Sequence, residues 1–222
     1  MSLTISALTA DARDPQLVAR FWAALLGRTA EPAGDHAYRL PPTRPTQFAI
    51  RFHRNEAQKS GPNWMHPDLT STSPDDQRAK VALALAHGGT HLDVGQLPNE
   101  THVVLADPEG NELCVLPADN DFTTGTDTIG CLACDGSRAA GLFWSAALDW
   151  PLVWDEGENR LHLDLLPSPD SDAPREIERL IGLGASRSPL TSDQMPWTVL
   201  LDPDGNEFCV HVRSGAGDES PS

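Results

Sequence analysis

The chain repeats itself, so a fold that accepts it must use one architecture twice. Residues 63–69 read NWMHPDL and residues 159–165 read NRLHLDL; residues 103–115 read VVLADPEGNELCV and residues 198–210 read TVLLDPDGNEFCV. His66 and His162 are 96 residues apart, and Cys114 and Cys209 are 95 apart. Phe21-Trp22 and Phe143-Trp144 also correspond, at a spacing of 122. The second copy is therefore 26 residues shorter between its first helix and its HxDL segment. That is about a hairpin, or slightly more. We expect a complete copy over 1–118, a polar linker over 119–125, a shortened copy over 126–214 and a disordered tail, GAGDESPS, over 215–222.

Each copy reads as two rounds of strand, helix and further strands. Leu3 to Leu8 alternates apolar and polar positions, and Asp14-Pro15 then opens a helix carrying Leu17, Phe21 and Leu25 that Gly27 stops. Strand-like Gln47 to His53 follows. The second round has a strand over Asn63 to Thr70, an N-cap at Ser73-Pro74, a helix with Val81 and Leu85, a Gly88-Gly89 stop and three short strands near 91–94, 102–105 and 112–116. Helices over Ala139 to Leu148 and Arg175 to Leu183 repeat the order. The pattern is α+β and lacks the strict alternation of a doubly wound parallel sheet.

Composition narrows the function classes. Lys and Arg number 16 against 32 Asp and Glu, a net charge of −16, which opposes phosphate-driven nucleic-acid binding and attraction to an anionic membrane surface. The first 118 residues hold 10 basic against 13 acidic groups and the remainder 6 against 19, so the acidity belongs to the second copy, away from a site in the first. No segment approaches a spanning helix or a signal peptide, and a cytoplasmic location is expected. Four cysteines are too few for a disulfide scaffold.

Strand, Asp-Pro, a helix with Phe-Trp and Leu-Gly, then HxDL, helix, Gly-Gly and DPEGNELCV together resemble the glyoxalase/bleomycin-resistance/dioxygenase superfamily, the vicinal oxygen chelate proteins. The resemblance runs over nearly the whole chain and is nearest to the glyoxalase-like subgroup ending in DP(D/E)GNE(F/L)CV. It implies paired βαβββ modules whose strands curl into a cup for a small ligand. In metal-dependent members four ligands come from the first and last strands of the modules. Carried onto this sequence, the first ligand falls on Ala7, which has no donor, the second near Arg51 or His53, the third on His66 and the last on Cys114.

Glu112 lies two residues before Cys114 and shares its strand face. His66, Glu112 and Cys114 are thus the candidate metal ligands, a set suited to zinc or another of Fe, Mn and Ni more than to magnesium. His162, Glu207 and Cys209 are their counterparts. Trp64 and Trp197, on strands, are expected to flank a planar ligand, whereas Trp22 and Trp144, on helices, are expected in the core. DPEGN reads mainly as a turn, with Gly110 in its left-handed position. Cys131-Leu-Ala-Cys134 is a weak zinc signal without a second pair.

The function expected from the resemblance is binding of a small organic molecule in the first copy's cup, lined by His66, Glu112, Cys114 and Trp64. It extends to lyase, isomerase or dioxygenase chemistry, with Ala7 and Cys114 departing from the ordinary glyoxalase I pattern. The alternative is a dimeric protein that sequesters a cationic drug without catalysis, as bleomycin-resistance members do.

Overall fold

A computed structural model describes residues 3–57, 59, 61–97, 99–120, 123, 125–134, 136–149, 162–191 and 196–212. The expected tail and most of the shortened middle of the second copy lie outside the described residues. The first copy runs β1 (Leu3–Ala12), α1 (Pro15–Leu26), β2 (Glu31–Pro32), β3 (Ala37–Leu40), β4 (Ala49–Arg54), β5 (Met65–Leu69), α2 (Pro74–Ala86), β6 (Thr90–His91), β7 (Val103–Ala106) and β8 (Glu112–Val115). The second runs β9 (Ile129–Cys134), α3 (Arg138–Leu148), β10 (His162–Pro167), α4 (Ala173–Leu183), β11 (Ser186–Arg187), β12 (Trp197–Leu201) and β13 (Glu207–His211). This is the α+β succession of tandem modules, with only β9 and α3 described in the third.

Helix boundaries follow the local chemistry. The side chains of Asp14, Ser73, Ser137 and Asp172 each accept a bond from an amide three residues on, capping all four helices at their N-termini. Gly27 closes α1 at φ 62°, where an L side chain would be strained. No described helix is long and apolar enough to cross a membrane.

The sheets do not respect the copy boundary. One has eight strands in the order β11-β12-β13-β10-β1-β4-β3-β2, and the other has five in the order β6-β7-β8-β5-β9. Their seams are antiparallel: β1 lies against β10, with Ala7 opposite Asp164, and β5 lies against β9, with Asp68 opposite Cys131. The first module of one copy thus completes its sheet with the last module of the other. The two middle modules pair in the same way.

On the eight-stranded sheet Leu8, Ile50, Phe52, Leu163, Leu165, Phe208 and Val210 join the buried core with α1, α3 and α4 residues. Strand alternation turns Thr9, Arg51, Asp164 and His211 to the other face.

The repeated DPxGN turn is a clamp. Asp107, buried, accepts from the Glu109 and Asn111 amides and the Asn111 side chain, and at 3.2 Å from the indole Nε1 of Trp22. Asp202 does the same with Asp204, Asn206 and, at 2.9 Å, Trp144. Glu109 also accepts from the amide of Asp14, and Asp204 from the amide of Ser137, so each acidic turn holds the start of the helix that carries its tryptophan. Gly110 and Gly205, at φ 87° and 89°, close the turns. This explains why Phe-Trp and DPxGN recur together in sequence.

Removing the indole N–H leaves the clamp carboxylate short of a donor while keeping an aromatic ring. Trp22→Phe and Trp144→Phe should each lower unfolding free energy by about 1–3 kcal/mol in urea titrations. Unchanged midpoints for both would contradict the clamp.

Candidate functional site

At the centre of the eight-stranded sheet, four strands contribute to one polar cluster. Asp164 on β10, almost wholly buried, accepts through Oδ2 from Thr9 Oγ1 on β1 at 2.8 Å and from Arg51 Nη1 on β4 at 3.2 Å. Its Oδ1 is 3.2 Å from His211 Nε2 on β13. Trp197 stacks beside His211, with ring centroids 5.4 Å apart. Arg39 stands directly opposite Arg51 across β3 and β4 and pairs with Glu31 at 3.6 Å. Like charges placed opposite each other repel, and here Asp164 and Glu31 supply the counter-charges.

The five-stranded sheet holds a related cluster. Asp68 Oδ1 lies 3.3 Å from His66 Nε2, and Asp68 Oδ2 accepts from the Cys131 thiol at 3.2 Å. Cys114 Sγ is 3.5 Å from His66 Nε2. One ligand atom from each of His66, Asp68 and Cys114 falls within 4.8 Å of the others, a geometry that a metal ion can use.

Of the residues expected at the site, the structure brings His66 and Cys114 together and sends Glu112 elsewhere. Buried Glu112 pairs with Lys59 and accepts from the Asn63 amide at 3.1 Å, so it anchors the loop before β5. Trp64 does not line a ligand space. It is fully buried, and its ring packs against Trp144 at 6.1 Å. Trp22 and Trp144 are in the core as expected.

In the second copy, Glu207 is exposed and Cys209 buried, and the side chain of His162 lies outside the described residues. Missing from the expected set were Asp68 and Asp164. Their signal was in the repeat itself, because the D of HxDL stands two residues after His and therefore on its face.

A family model for the glyoxalase-like domain matches residues 7–116 and 130–211. The chain belongs to this family. Glyoxalase I from Zea mays is similar in structure at 12% identity and a TM-score of 0.61, over 95% of this chain and 92% of that one. A candidate dioxygenase from Bacillus subtilis is similar at 12% identity and a TM-score of 0.55, over 99% and 88%. No curated protein matches the chain in sequence. At these identities the neighbours establish the fold, and the two clusters differ in what they fit. In this glyoxalase-like chain Ala7 offers the eight-stranded sheet no donor, and the Arg51 guanidinium already occupies Asp164, so a divalent metal does not fit there.

The cysteines are differently placed for reaction. Burial, reinforced by Asp164 and Glu207, pushes the Cys209 thiol up to about 12, and burial also raises that of Cys131. As pH climbs from 9 toward 12 the unfolded Cys209 ionises while the folded one stays protonated, so this group lowers stability across that window. Iodoacetamide at pH 8 should leave Cys209 unmodified in the native protein and alkylate it in denaturant, read by peptide mass spectrometry. Rapid native labelling would contradict its burial.

Proposed function

We propose that the chain binds a small organic anion on the polar face of its eight-stranded sheet. The observation that carries this reading is the facing pair Arg39 and Arg51. Both side chains are about a third exposed, at 31% and 29%, and they share a sheet face with Thr9, Asp164 and His211. A planar carboxylate can bridge such a pair through two parallel hydrogen bonds. Trp197 supplies an aromatic wall against His211 for the organic part of the ligand. His211, whose Nε2 lies 3.2 Å from Asp164 Oδ1, is the group there with acid–base chemistry, and it is the candidate for moving a proton of the ligand.

On this reading the small-molecule site lies between the first and last modules, whereas the sequence expectation put it within the first copy. A cationic drug, the alternative ligand class, would meet two guanidinium groups on this face.

A thermal-shift and calorimetry panel of small aliphatic and aromatic carboxylates beside cationic antibiotics tests the reading, in the presence of a chelator. Carboxylates should raise the melting temperature, and Arg39→Gln should weaken the best of them by about tenfold or more, the worth of one charge-assisted bond. Arg39 is preferred to Arg51 because removing Arg51 would also leave Asp164 buried without its cation. Binding of cations with no response to carboxylates would overturn the proposal.

A further inference from the structure

The charged residues on the polar face of the larger sheet stand in one row. Glu31 on β2 is directly opposite Arg39 on β3, Arg39 is opposite Arg51 on β4, and Arg51 is opposite Thr9 on β1. Residues opposite one another share a face, so the row reads carboxylate, guanidinium, guanidinium, hydroxyl from the sheet edge inward. Each guanidinium has a carboxylate of the chain beside it, Glu31 for Arg39 and Asp164 for Arg51.

The two carboxylates are held very differently. Asp164 is buried on a central strand, accepts also from Thr9 and lies beside His211, so moving it would break several contacts and leave a charge unpaired in the interior. Glu31 is on a two-residue strand at the sheet edge, paired with β3 alone, and its neighbour Pro32 has no amide to give to a ladder. Its side chain is 42% exposed, and its Oε1 is 3.6 Å from Arg39 Nε, beyond the span of a charge-assisted hydrogen bond, about 2.7–2.9 Å. Asp164 is fixed, whereas Glu31 is free to leave.

We propose that Glu31 is a built-in competitor of the ligand, whose carboxylate holds Arg39 in the free protein and is displaced when the ligand's carboxylate arrives. The inference rests on the anion reading of this face. Two guanidinium groups set opposite each other repel, and an anion between them relieves the repulsion. Glu31 supplies that anion to Arg39 from the outer side only. A small carboxylate that bridges both guanidinium groups serves the two at once and wins the exchange, while Arg51 keeps Asp164. An anion that reaches Arg39 alone gains no more than Glu31 already gives. Glu31 is therefore a specificity-determining residue that selects ligands able to bridge the pair. The displaced pair is exposed and of small worth, so Glu31 sets affinity over a few-fold range.

The test is calorimetric titration of the full chain with benzoate and with acetate, small carboxylates with and without a ring. Glu31→Gln should bind them about two- to fivefold more tightly than the wild type, the worth of an exposed ion pair. The gain should vanish in an Arg39→Gln background, where Glu31 has no guanidinium to hold. Asp35→Asn, which removes an exposed charge from the hairpin between β2 and β3, should leave affinity unchanged. A gain that Asp35→Asn reproduces, or that persists without Arg39, reports general charge repulsion and overturns the proposal. Equal affinity in wild type and Glu31→Gln overturns it, and so does weaker binding by Glu31→Gln, which would make Glu31 a contact of the ligand. The Asp35→Asn comparison decides even where Arg39→Gln binds too weakly to titrate. Wild-type protein that binds no carboxylate overturns the anion reading and this proposal together, whereas wild-type binding with no gain in Glu31→Gln overturns this proposal alone.

Discussion

The antiparallel seams between β1 and β10 and between β5 and β9 are the constraint on which the rest of the molecule depends. An edge strand left open exposes a row of unpaired amides and carbonyls, and each module's first strand meets this by pairing with a module of the other copy. Within a copy, the modules are joined differently, by the Trp22–Asp107 and Trp144–Asp202 clamps. Clamps tie neighbours along the chain and seams tie the copies to each other, so the core is continuous from Leu3 to Val210.

The seams also decide where chemistry can arise. Because Thr9 and Arg51 come from the first copy and Asp164 and His211 from the second, the polar cluster of the larger sheet belongs to both. The acidity of the second copy is therefore not remote from the site, since its Asp164 lies at the centre. The same seam repeated over a shortened module gives a sheet with the aspartate and, among the described residues, no arginine on it. One duplicated motif thus has two electrostatic outcomes, an internal ion pair in one sheet and a cluster of imidazole, carboxylate and thiol in the other.

Much of this was legible in the residues. The HxDL and DPxGN strings marked the duplication, Asp14, Ser73 and Gly27 marked helix ends, and of the residues in the apolar spacing Phe21 and Leu25 are in the core while Leu17 and Leu85 are exposed. Strand bounds at 47–53 and 102–105 shifted by a residue or two because edge residues lack ladder partners. Glu112 was misread because face parity alone cannot tell whether a nearby cation, here Lys59, captures a carboxylate first. Trp64 was misread because it is buried in the core, where its ring packs against Trp144 of the other copy. The pairing of β1 with β10 was not legible at all, since alternation shows that a strand has a buried face and is silent on which distant strand completes its ladder.

The central claim, that the two copies share their sheets, is tested most directly by placing a protease site in the 119–125 linker of the full chain and cleaving it in the folded state. The account predicts that the halves stay together on size-exclusion chromatography with unchanged circular dichroism and separate only in denaturant. Halves that part on cleavage, each a folded monomer, would contradict it.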